Sequence, residues 1–427
     1  MHSRSRTSRN TLSDWYDIAF ICYETLYNMS SKSNQGRVSV STLTWGSQLD
    51  ISTFRLHYGS VFTPFGSQNR HPVASCLTVE MRQYGDKDSA AEVLAIRNNG
   101  HLYDSCEAML EGINVAGRGP VMDMKCLESG HLVTSSMSTN QTNNLYVWDM
   151  RDDAEQAKVP VVALKSQLRG KIYFDACNGD VCSVDDNGTI HSYDLYTAAL
   201  SNKHTDTRNL DYTAMTDIDL EYKFFSSCIS INGFDSTVLV GSSEHAQIAR
   251  WDPRSPSSNI FTSTACRRWG TRGSQRRDYD HIYGIEWSPR NTNEFMTVHM
   301  EAVRIWDARK MDRDIFATTH CMAPTALRKA QWSPHRSDCI AGLTMDGQVK
   351  IWKIKNFDVP ADISTPQQYP EELFVHQAHD LMISDFAWCP YVEDVISTVS
   401  PGTVGSAGHI QVWRPRNLHE SDDNGEP

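Results

Sequence analysis

Seven short stretches of this chain end in an aromatic residue, and in five of them an Asp follows directly. The aromatic positions are Tyr103, Trp148, Tyr193, Trp251, Trp306, Trp352 and Trp413. Successive positions are 45 to 61 residues apart, and strand-forming residues precede most of them. Self-similarity at such a period is typical of architectures built from repeated antiparallel units. The seven aromatic ends therefore predict seven repeats.

The repeats also carry the turn residues that hairpins require. Asn-Gly or Asp-Gly pairs, which tolerate positive φ angles, precede three of the marked strands, at residues 99–100, 187–188 and 346–347. Other strands end in Trp-Ser-Pro or Trp-Cys-Pro, where Pro closes a strand that it cannot continue, at Trp287, Trp332 and Trp388. The order of strands, turns and aromatic ends resembles the blade of a WD40 propeller over about residues 90 to 415.

The predicted fold is all-β, a seven-bladed WD40 β-propeller over residues 38–415 with an N-terminal α-helix packed on its side. Val38 to Trp45 alternates apolar and polar residues and is expected to join blade seven and close the ring. The alternative is that the regularly spaced tryptophans are core residues of a β-sandwich. The aromatic-Asp dipeptide, the turn residues and the flanking β-branched residues recur together, and this favours the propeller over the sandwich.

Residues 13–30 are predicted to form a helix with Ser13 as its N-cap. Its apolar residues fall into two separate stripes along the helix. A helix that packs on the surface of a domain needs only one apolar stripe. The second stripe either binds a partner or is buried by a loop. Residues 1–12 are expected to be a disordered basic tail, with a mitochondrial presequence as the alternative, and residues 416–427 an acidic disordered tail.

The composition argues against several classes of protein. A net charge of −12 does not suit a nucleic-acid coat, so direct nucleic-acid binding is not expected. The longest apolar run, Ile18 to Cys22, is far too short for a bilayer span, so no membrane association is expected. The eleven cysteines lack metal-binding spacing and are expected to be reduced thiols.

Motifs for catalysis are also missing from the sequence. The sixteen histidines form no HExxH pair, there is no GxSxG elbow, and residues 117–119 lack the third glycine of a dinucleotide loop. We therefore expect no enzymatic activity, no metal and no cofactor. His379 is expected to bond within its own blade.

Several short motifs in the last third of the chain resemble one branch of WD40 proteins, the retinoblastoma-binding proteins that also serve as the small subunit of chromatin assembly factor 1. These motifs cover residues 331–335, 370–376, 383–386 and 410–413, and the N-terminal segment matches at Tyr16, Ile18, Leu26 and Tyr27. The resemblance implies a non-catalytic histone-binding subunit of a chromatin complex, located in the nucleus and also the cytoplasm.

In that family, the first helix of histone H4 lies between the N-terminal helix and a loop of the sixth blade. The resemblance implies histone H4, or H3–H4, as the partner, together with other subunits of a chromatin complex. The groove residues that it implies are Ile18, Leu26, Tyr27, Asp358, Asp362, Glu371, Leu373, Phe374 and Val375. The alternatives are a WD40 chaperone of a ribosomal protein and a substrate receptor of a ubiquitin ligase.

A separate basic stretch lies between the fourth and fifth aromatic ends, Trp251 and Trp306. Its members are Arg267, Arg268, Trp269, Arg272, Arg276 and Arg277. Arginines around one tryptophan can bind phosphates and stack on a base. The alternative is a solvated loop that faces an acidic partner.

Overall fold

The computed structural model describes residues 17–21, 36–49, 53–64, 71–84, 91–97, 121–137, 142–150, 162–169, 172–185, 188–195, 211–212, 216–219, 226–242, 247–253, 261–264, 281–299, 303–311, 314–317, 326–354, 371–376, 379, 382–401 and 409–415. These residues form strands and turns. A helix that is long and apolar enough to cross a membrane is not found in this part of the chain.

The strands are numbered in chain order. The first nine are β1 (Asp17–Ile21), β2 (Gly36–Gln48), β3 (Thr53–Pro64), β4 (His71–Tyr84), β5 (Ala91–Arg97), β6 (Val121–Cys126), β7 (His131–Met137), β8 (Thr142–Asp149) and β9 (Val162–Arg169). The next nine are β10 (Tyr173–Cys177), β11 (Asp180–Val184), β12 (Thr189–Asp194), β13 (Asp211–Tyr212), β14 (Thr216–Asp219), β15 (Ser226–Ile231), β16 (Val238–Ser242), β17 (Gln247–Trp251) and β18 (Phe261–Thr264). The last eleven are β19 (Gly284–Trp287), β20 (Glu294–Val298), β21 (Val303–Asp307), β22 (Asp314–Ala317), β23 (Leu327–Trp332), β24 (Cys339–Thr344), β25 (Val349–Lys353), β26 (Glu371–His376), β27 (Asp385–Trp388), β28 (Ile396–Ser400) and β29 (His409–Arg414).

These strands form seven sheets that follow one another along the chain. Sheet 1 contains β2 to β5, sheet 2 contains β6 to β9 with β13 beside β9, and sheet 3 contains β10, β11, β12 and β14. Sheets 4, 5 and 6 contain β15 to β18, β19 to β22 and β23 to β26, and sheet 7 contains β27 to β29 with β1 beside β29. Every pair of neighbouring strands is antiparallel except β9 and β13, as expected for sheets made of local hairpins.

Six of the seven predicted aromatic ends lie at the end of the third strand of a sheet. They are Trp148, Tyr193, Trp251, Trp306, Trp352 and Trp413, in β8, β12, β17, β21, β25 and β29. The seventh, Tyr103, lies outside the described residues. The first sheet begins earlier than predicted, because its third strand β4 ends at Tyr84 and the sheet is complete by Arg97.

The N-terminal segment differs from the sequence predictions in two ways. Asp17 to Ile21, expected within a helix, is strand β1, and its residues pair with β29 from Asp17 beside Arg414 to Ile21 beside Ile410. The rest of residues 13–30 lies outside the described part of the chain. Val38 to Trp45, expected in the last blade, belongs to β2 and pairs with β3 in sheet 1. The physical reason is the edge of β29, since an unpaired sheet edge stabilises any extended segment that can complete its hydrogen bonds.

The hydrophobic core lies between successive sheets. Between sheets 6 and 7, for example, Ile351 of sheet 6 and Phe386, Ile396 and Trp413 of sheet 7 are fully shielded from solvent and belong to one cluster. The indole N–H of Trp413 donates to Thr398 at 3.2 Å. His379 lies 2.9 Å from the same hydroxyl through its Nε2, which confirms that it bonds within its own repeat. Each sheet is therefore held by the next one.

Two of the predicted turns have the expected backbone. Gly188 and Gly347 have φ angles of 87° and 79°, in the region that favours glycine. At Gly347 a side chain would also collide with the backbone of Met382, since an added Cβ would lie 2.4 Å from its Cα. The turn between β24 and β25 therefore packs directly against the segment that enters sheet 7.

We expect removal of residues 1–35 to destabilise the protein and to promote self-association, because it deletes β1 and opens the edge of β29. The change is measured by thermal denaturation and by light scattering. Removal of residues 1–12 alone is the matched control and should leave both unchanged. Equal behaviour of the two deletions would contradict the pairing of β1 with β29.

Candidate functional site

The first strand of every sheet carries a polar side chain among apolar neighbours. In β19, Ile285 and Trp287 are buried and Glu286 lies on the opposite face, because successive side chains of a strand alternate. We call the whole set the polar ring. Its members are Thr42, Asp123, Lys125, Asp175, Ser230, Glu286, Lys329 and Asp385, from β2, β6, β10, β15, β19, β23 and β27.

Bulges set which side chains enter the ring. The strand register shifts directly before Thr42 in β2, Asp123 in β6 and Lys329 in β23. In β23, Leu327 therefore faces the core together with Ala330, although the two are three residues apart. A bulge inserts one unpaired residue and redirects the side chains that follow it.

Members of the polar ring link each first strand to the next. One carboxylate oxygen of Asp175 accepts a hydrogen bond from the Ile231 N–H at 2.7 Å, so sheet 3 is tied to sheet 4. Ser230 accepts from the Trp287 N–H at 3.2 Å, and Glu286 accepts from the Trp332 N–H at 2.9 Å. These links continue the ring from sheet 4 through sheet 5 to sheet 6.

Asp385 joins three sheets. Its Oδ1 receives the ammonium of Lys329 at 2.7 Å, and this ammonium also donates to the Phe386 carbonyl at 3.0 Å. Its Oδ2 accepts from the Thr42 hydroxyl at 2.7 Å and from the Leu43 N–H at 3.3 Å. Sheet 7 is thereby linked to sheet 6 on one side and to sheet 1 on the other, so the first and last sheets meet.

Ion pairs keep both lysines of the ring charged. Lys125 donates to Asp175, which links sheet 2 to sheet 3. Burial lowers the pKa of Lys125 and of Lys329, but the carboxylates of Asp175 and Asp385 outweigh this effect and hold both pKa values above the ordinary range.

Two carboxyl groups of the ring bind their protons more tightly than usual. Removal from bulk water raises the pKa of Glu286 to about 7, against the opposing effects of the Trp332 N–H and the two lysines. The same cause raises the pKa of Asp123 to about 6, and the charge of Asp385 adds to it, although Lys329 opposes both. Asp123 is nonetheless exposed to solvent, so water reaches this carboxyl between the strands.

Nothing in the described part of the chain is arranged to chelate a metal, since no group of three or more His, Cys, Asp or Glu side chains is placed to do so there. Six cysteines whose side chains the structure describes are free thiols: Cys126, Cys177, Cys182, Cys228, Cys339 and Cys389. Burial raises the pKa of the Cys182 and Cys228 thiols to about 12, which makes them poor nucleophiles.

The structure describes only part of the predicted histone groove. Ile18 lies in β1 beside Trp413, and Glu371, Leu373, Phe374 and Val375 lie in β26. Leu373 and Phe374 are half-buried against the core between sheets 6 and 7, where the Phe374 ring is 5.4 Å from that of Trp413. Leu26, Tyr27, Asp358 and Asp362 lie outside the described residues, as does the whole basic stretch from Arg267 to Arg277.

The sequence pattern alone gives the polar ring no role. Asp385 stands inside one of the motifs that resemble the family, and Glu286 stands directly before a Trp-Ser-Pro ending. The usable signal was a charged residue inside an apolar strand that begins a repeat. Asp123 and Asp175 carried no marker, because their strands lack the Trp-Ser-Pro ending.

Comparison with known proteins identifies relatives of another kind. No family model matches the chain. The chain is 25% identical over 177 residues to the GATOR2 complex protein MIOS of Danio rerio, which covers 40% of this chain and 18% of that protein. It is 23% identical over 158 residues to GATOR2 complex protein MIOS-A of Xenopus laevis, which covers 37% and 16%. The chain thus spans less than a fifth of these relatives.

A solved structure of the COPII outer coat vertex on membranes has the same fold. It superposes with a TM-score of 0.56 at 12% identity and covers 92% of this chain and 88% of that chain. This likeness identifies the fold as a β-propeller.

The resemblance to the retinoblastoma-binding and chromatin assembly factor family was wrong, since the relatives found are MIOS proteins. The physical reason is that the motifs behind the resemblance consist largely of core residues. Trp332, His376, Phe386 and Trp413 are all buried, so these motifs reflect how propeller sheets pack and not what the protein binds.

We expect Glu286→Gln to stabilise the protein above pH 7 by about 1–3 kcal/mol. The folded pKa of about 7 lies above the ordinary value of 4.5, so the folded state holds the proton more tightly than the unfolded state. This contribution is complete below pH 4.5 and is lost as the pH rises through 7. The glutamine carbonyl still accepts from Trp332 and never ionises.

The measurement is urea denaturation of both proteins from pH 5 to pH 8.5. Asp307→Asn is the control of opposite sign, because hydrogen bonds from Arg309 lower the pKa of Asp307. It should be slightly less stable than the wild type at neutral pH. A stability difference for Glu286→Gln that does not change with pH would contradict the raised pKa.

Asp385→Ala should lower the free energy of unfolding by about 2–4 kcal/mol, because it removes the carboxylate that pairs with the Lys329 ammonium and accepts from the Thr42 hydroxyl. Denaturant titration measures the change. Asp338→Ala is the matched control, since Asp338 is only partly buried and its ion pairs with Arg336 and Lys353 are longer, at 3.6 and 3.9 Å. That control should lose less than about 1 kcal/mol.

Proposed function

We propose that this chain is a non-catalytic interaction subunit of a multi-subunit assembly, built as a closed seven-bladed WD40 propeller. The observation that carries the proposal is the polar ring, whose side chains are used to join sheets. A fold held together from its centre presents its turns as free surfaces at both ends. Such a role requires no catalysed reaction.

Seven blades are proposed from the connectivity of the described strands. There are seven sheets, and links between first strands run from sheet 2 to sheet 7 and on to sheet 1. At the remaining junction, Gly59 of sheet 1 lies against Val121 of sheet 2, where an added Cβ would come within 3.0 Å. Strand β1 is proposed as the segment that closes the outer side of the last blade.

Both ends of the propeller carry exposed apolar side chains. Turns between first and second strands lie at one end, with Leu49, Phe234 and Tyr391 exposed. The segments that enter first strands, and the turns between second and third strands, lie at the other, with Tyr283, Met345 and Met382 exposed. Exposed apolar side chains grouped at turns are typical of protein contact surfaces.

The relatives support an assembly role. The MIOS proteins are named as members of the GATOR2 complex, and the structural neighbour is part of the COPII coat. We therefore propose other protein subunits as the partners. Histone binding is not carried over, because it came only with the corrected resemblance. The ribosomal-protein chaperone and the ubiquitin-ligase receptor gain no support from the comparisons.

The proposal is tested by native purification of the tagged full chain from its own cells, followed by size-exclusion chromatography with light scattering and by cross-linking mass spectrometry. We expect a defined assembly with stoichiometric subunits whose cross-links fall on the turns at the propeller ends. Elution as a monomer without stoichiometric partners would contradict it.

A further inference from the structure

A second set of links joins sheets 3 to 6 where their first strands turn into their second strands. The side-chain amide of Asn178 in sheet 3 donates to the Gly233 carbonyl of sheet 4 at 2.8 Å. That of Asn232 in sheet 4 donates to the Thr292 carbonyl of sheet 5 at 3.0 Å. The Nε–H of Arg290 in sheet 5 donates to a carbonyl in the turn of sheet 6 at 3.2 Å. The four turns therefore lie side by side in a fixed order.

The residues that follow the third strands lie at the same end of the propeller. The N–H of Leu195, after β12, donates to the Gly179 carbonyl in the turn after β10 at 3.0 Å. The N–H of Ala308, after β21, donates to the Asn293 carbonyl in the turn after β19 at 2.7 Å. We call this surface the first-turn end. It comprises the turns after β10, β15, β19 and β23 and the residues that directly follow β12, β17, β21 and β25.

Sheets 3 and 4 carry negative charge at the first-turn end. Asp180 and Asp194 stand directly opposite each other in β11 and β12, a placement that is unfavourable for like charges. Burial raises the pKa of Asp180 and the charge of Asp194 adds to this effect, although a hydrogen bond from the Ser236 hydroxyl opposes both. Asp235, in the turn after β15, and Asp252, directly after β17, bring two more carboxylates. This half of the surface therefore attracts cations.

Sheets 5 and 6 carry positive charge at the same end. Arg290, Arg309 and Lys310 of sheet 5 are exposed, and Arg309 compensates the charge of Asp307 at 2.7 Å. Arg250 of sheet 4 also reaches towards this half, since its Nη1 donates to a carbonyl of sheet 5 at 3.2 Å. The other described charged residues of this half are Glu294, Arg336, Asp338 and Lys353. Cations thus outnumber carboxylates among its described residues.

An exposed aromatic ring stands at the border between the two halves. Phe234, in the turn after β15, is 58% exposed. The side chain of Asn232 holds this turn in place, because its amide donates to Thr292 of sheet 5 and its oxygen accepts from the Phe234 N–H at 2.9 Å. An exposed aromatic ring on a turn that is fixed in this way is typical of a protein contact surface.

The two halves of the first-turn end complement each other in charge. When two copies meet face to face about a two-fold axis along the border, the acidic half of each copy lies on the basic half of the other. A different protein would need both charges in the matching order, whereas a second copy has them by symmetry. The links between turns hold the halves in place, so little conformational freedom is lost on contact.

We propose that the first-turn end of sheets 3 to 6 is a docking surface for a second copy of this chain. The carboxylates of sheets 3 and 4 in one copy face the cations of sheets 5 and 6 in the other, and the two Phe234 rings meet near the axis. The charges set the orientation of the two copies, and the rings supply apolar contact. The inference names one partner within the proposed interaction function and rests on it.

The first measurement is sedimentation velocity of the purified full-length chain over a range of protein and salt concentrations. We expect a reversible equilibrium between monomer and dimer. Added salt should shift it towards the monomer, because salt screens the charges that face each other. Phe234→Ser should weaken the dimer severalfold without changing its salt dependence.

Charge reversal on each half is the decisive test. The acid-reversed variant carries Asp194→Lys and Asp252→Lys, and the base-reversed variant carries Arg290→Glu and Lys310→Glu. Each variant alone should dimerise about tenfold or more weakly than the wild type, because like charges then meet at both contacts of the symmetric pair. An equimolar mixture of the two variants should restore the dimer, because opposite charges meet again at both contacts. A variant that has merely lost its fold is not rescued by mixing.

The matched control combines Arg328→Glu and Asp346→Lys. Both residues are exposed and lie at the other end of the propeller, Arg328 near the start of β23 and Asp346 in the turn between β24 and β25. This pair of reversals should leave the dimer unchanged, because it alters charges outside the first-turn end.

A wild-type chain that stays monomeric at every concentration, reversed variants that dimerise like the wild type, or a mixture that forms no dimer would each overturn the inference. Its failure is distinguishable from failure of the proposed function. A chain that is monomeric when purified alone but co-purifies with other subunits in a defined assembly retains the proposed function and loses only this docking surface.

Discussion

The hydrogen bond from one first strand to a polar side chain of the preceding sheet is the interaction on which the rest of this structure depends. Each sheet is a set of local hairpins, and a single small sheet buries too little apolar surface to be stable alone. The side chains of Asp175, Glu286 and Asp385 join these units at their inner edges. The apolar clusters fill the space between sheets whose spacing these hydrogen bonds help to set.

This frame is polar, and that has a cost. Carboxyl groups held between strands lose part of their hydration, which is why the pKa values of Glu286 and Asp123 are raised. The lysines offset this where they form ion pairs, at Asp175 and Asp385. A polar ring gives direction as well as attraction, because each hydrogen bond holds for one register of the neighbouring strand only. Apolar contacts alone would permit sheets to slide.

The mistaken family resemblance has its cause in the difference between core residues, which determine packing, and exposed residues, which determine binding. The motifs that suggested a histone-binding protein carry aromatic residues that are buried between sheets, Trp332 between sheets 5 and 6 and Phe386 and Trp413 between sheets 6 and 7. Core residues respond to packing, which all propellers of this type share, whereas recognition is decided by turns and by a few exposed side chains. Phe374, expected as a groove wall, is half-buried and its ring lies 5.4 Å from that of Trp413. Similarity in the core therefore indicated the fold but not the family.

The amino-acid sequence by itself determined the repeated unit. The aromatic ends of six third strands, the glycine turns at Gly188 and Gly347, and the bond between His379 and its own repeat were all predictable, because they depend on local periodicity and local turn geometry. Only the tertiary structure decided which segment pairs with β29 and which side chains form the polar ring. Strand β1 is stabilised by the distant edge of β29, and the bulges before Asp123 and Lys329 redirect side chains that simple alternation would place elsewhere. Both depend on contacts between residues far apart in the chain, which a local pattern does not contain.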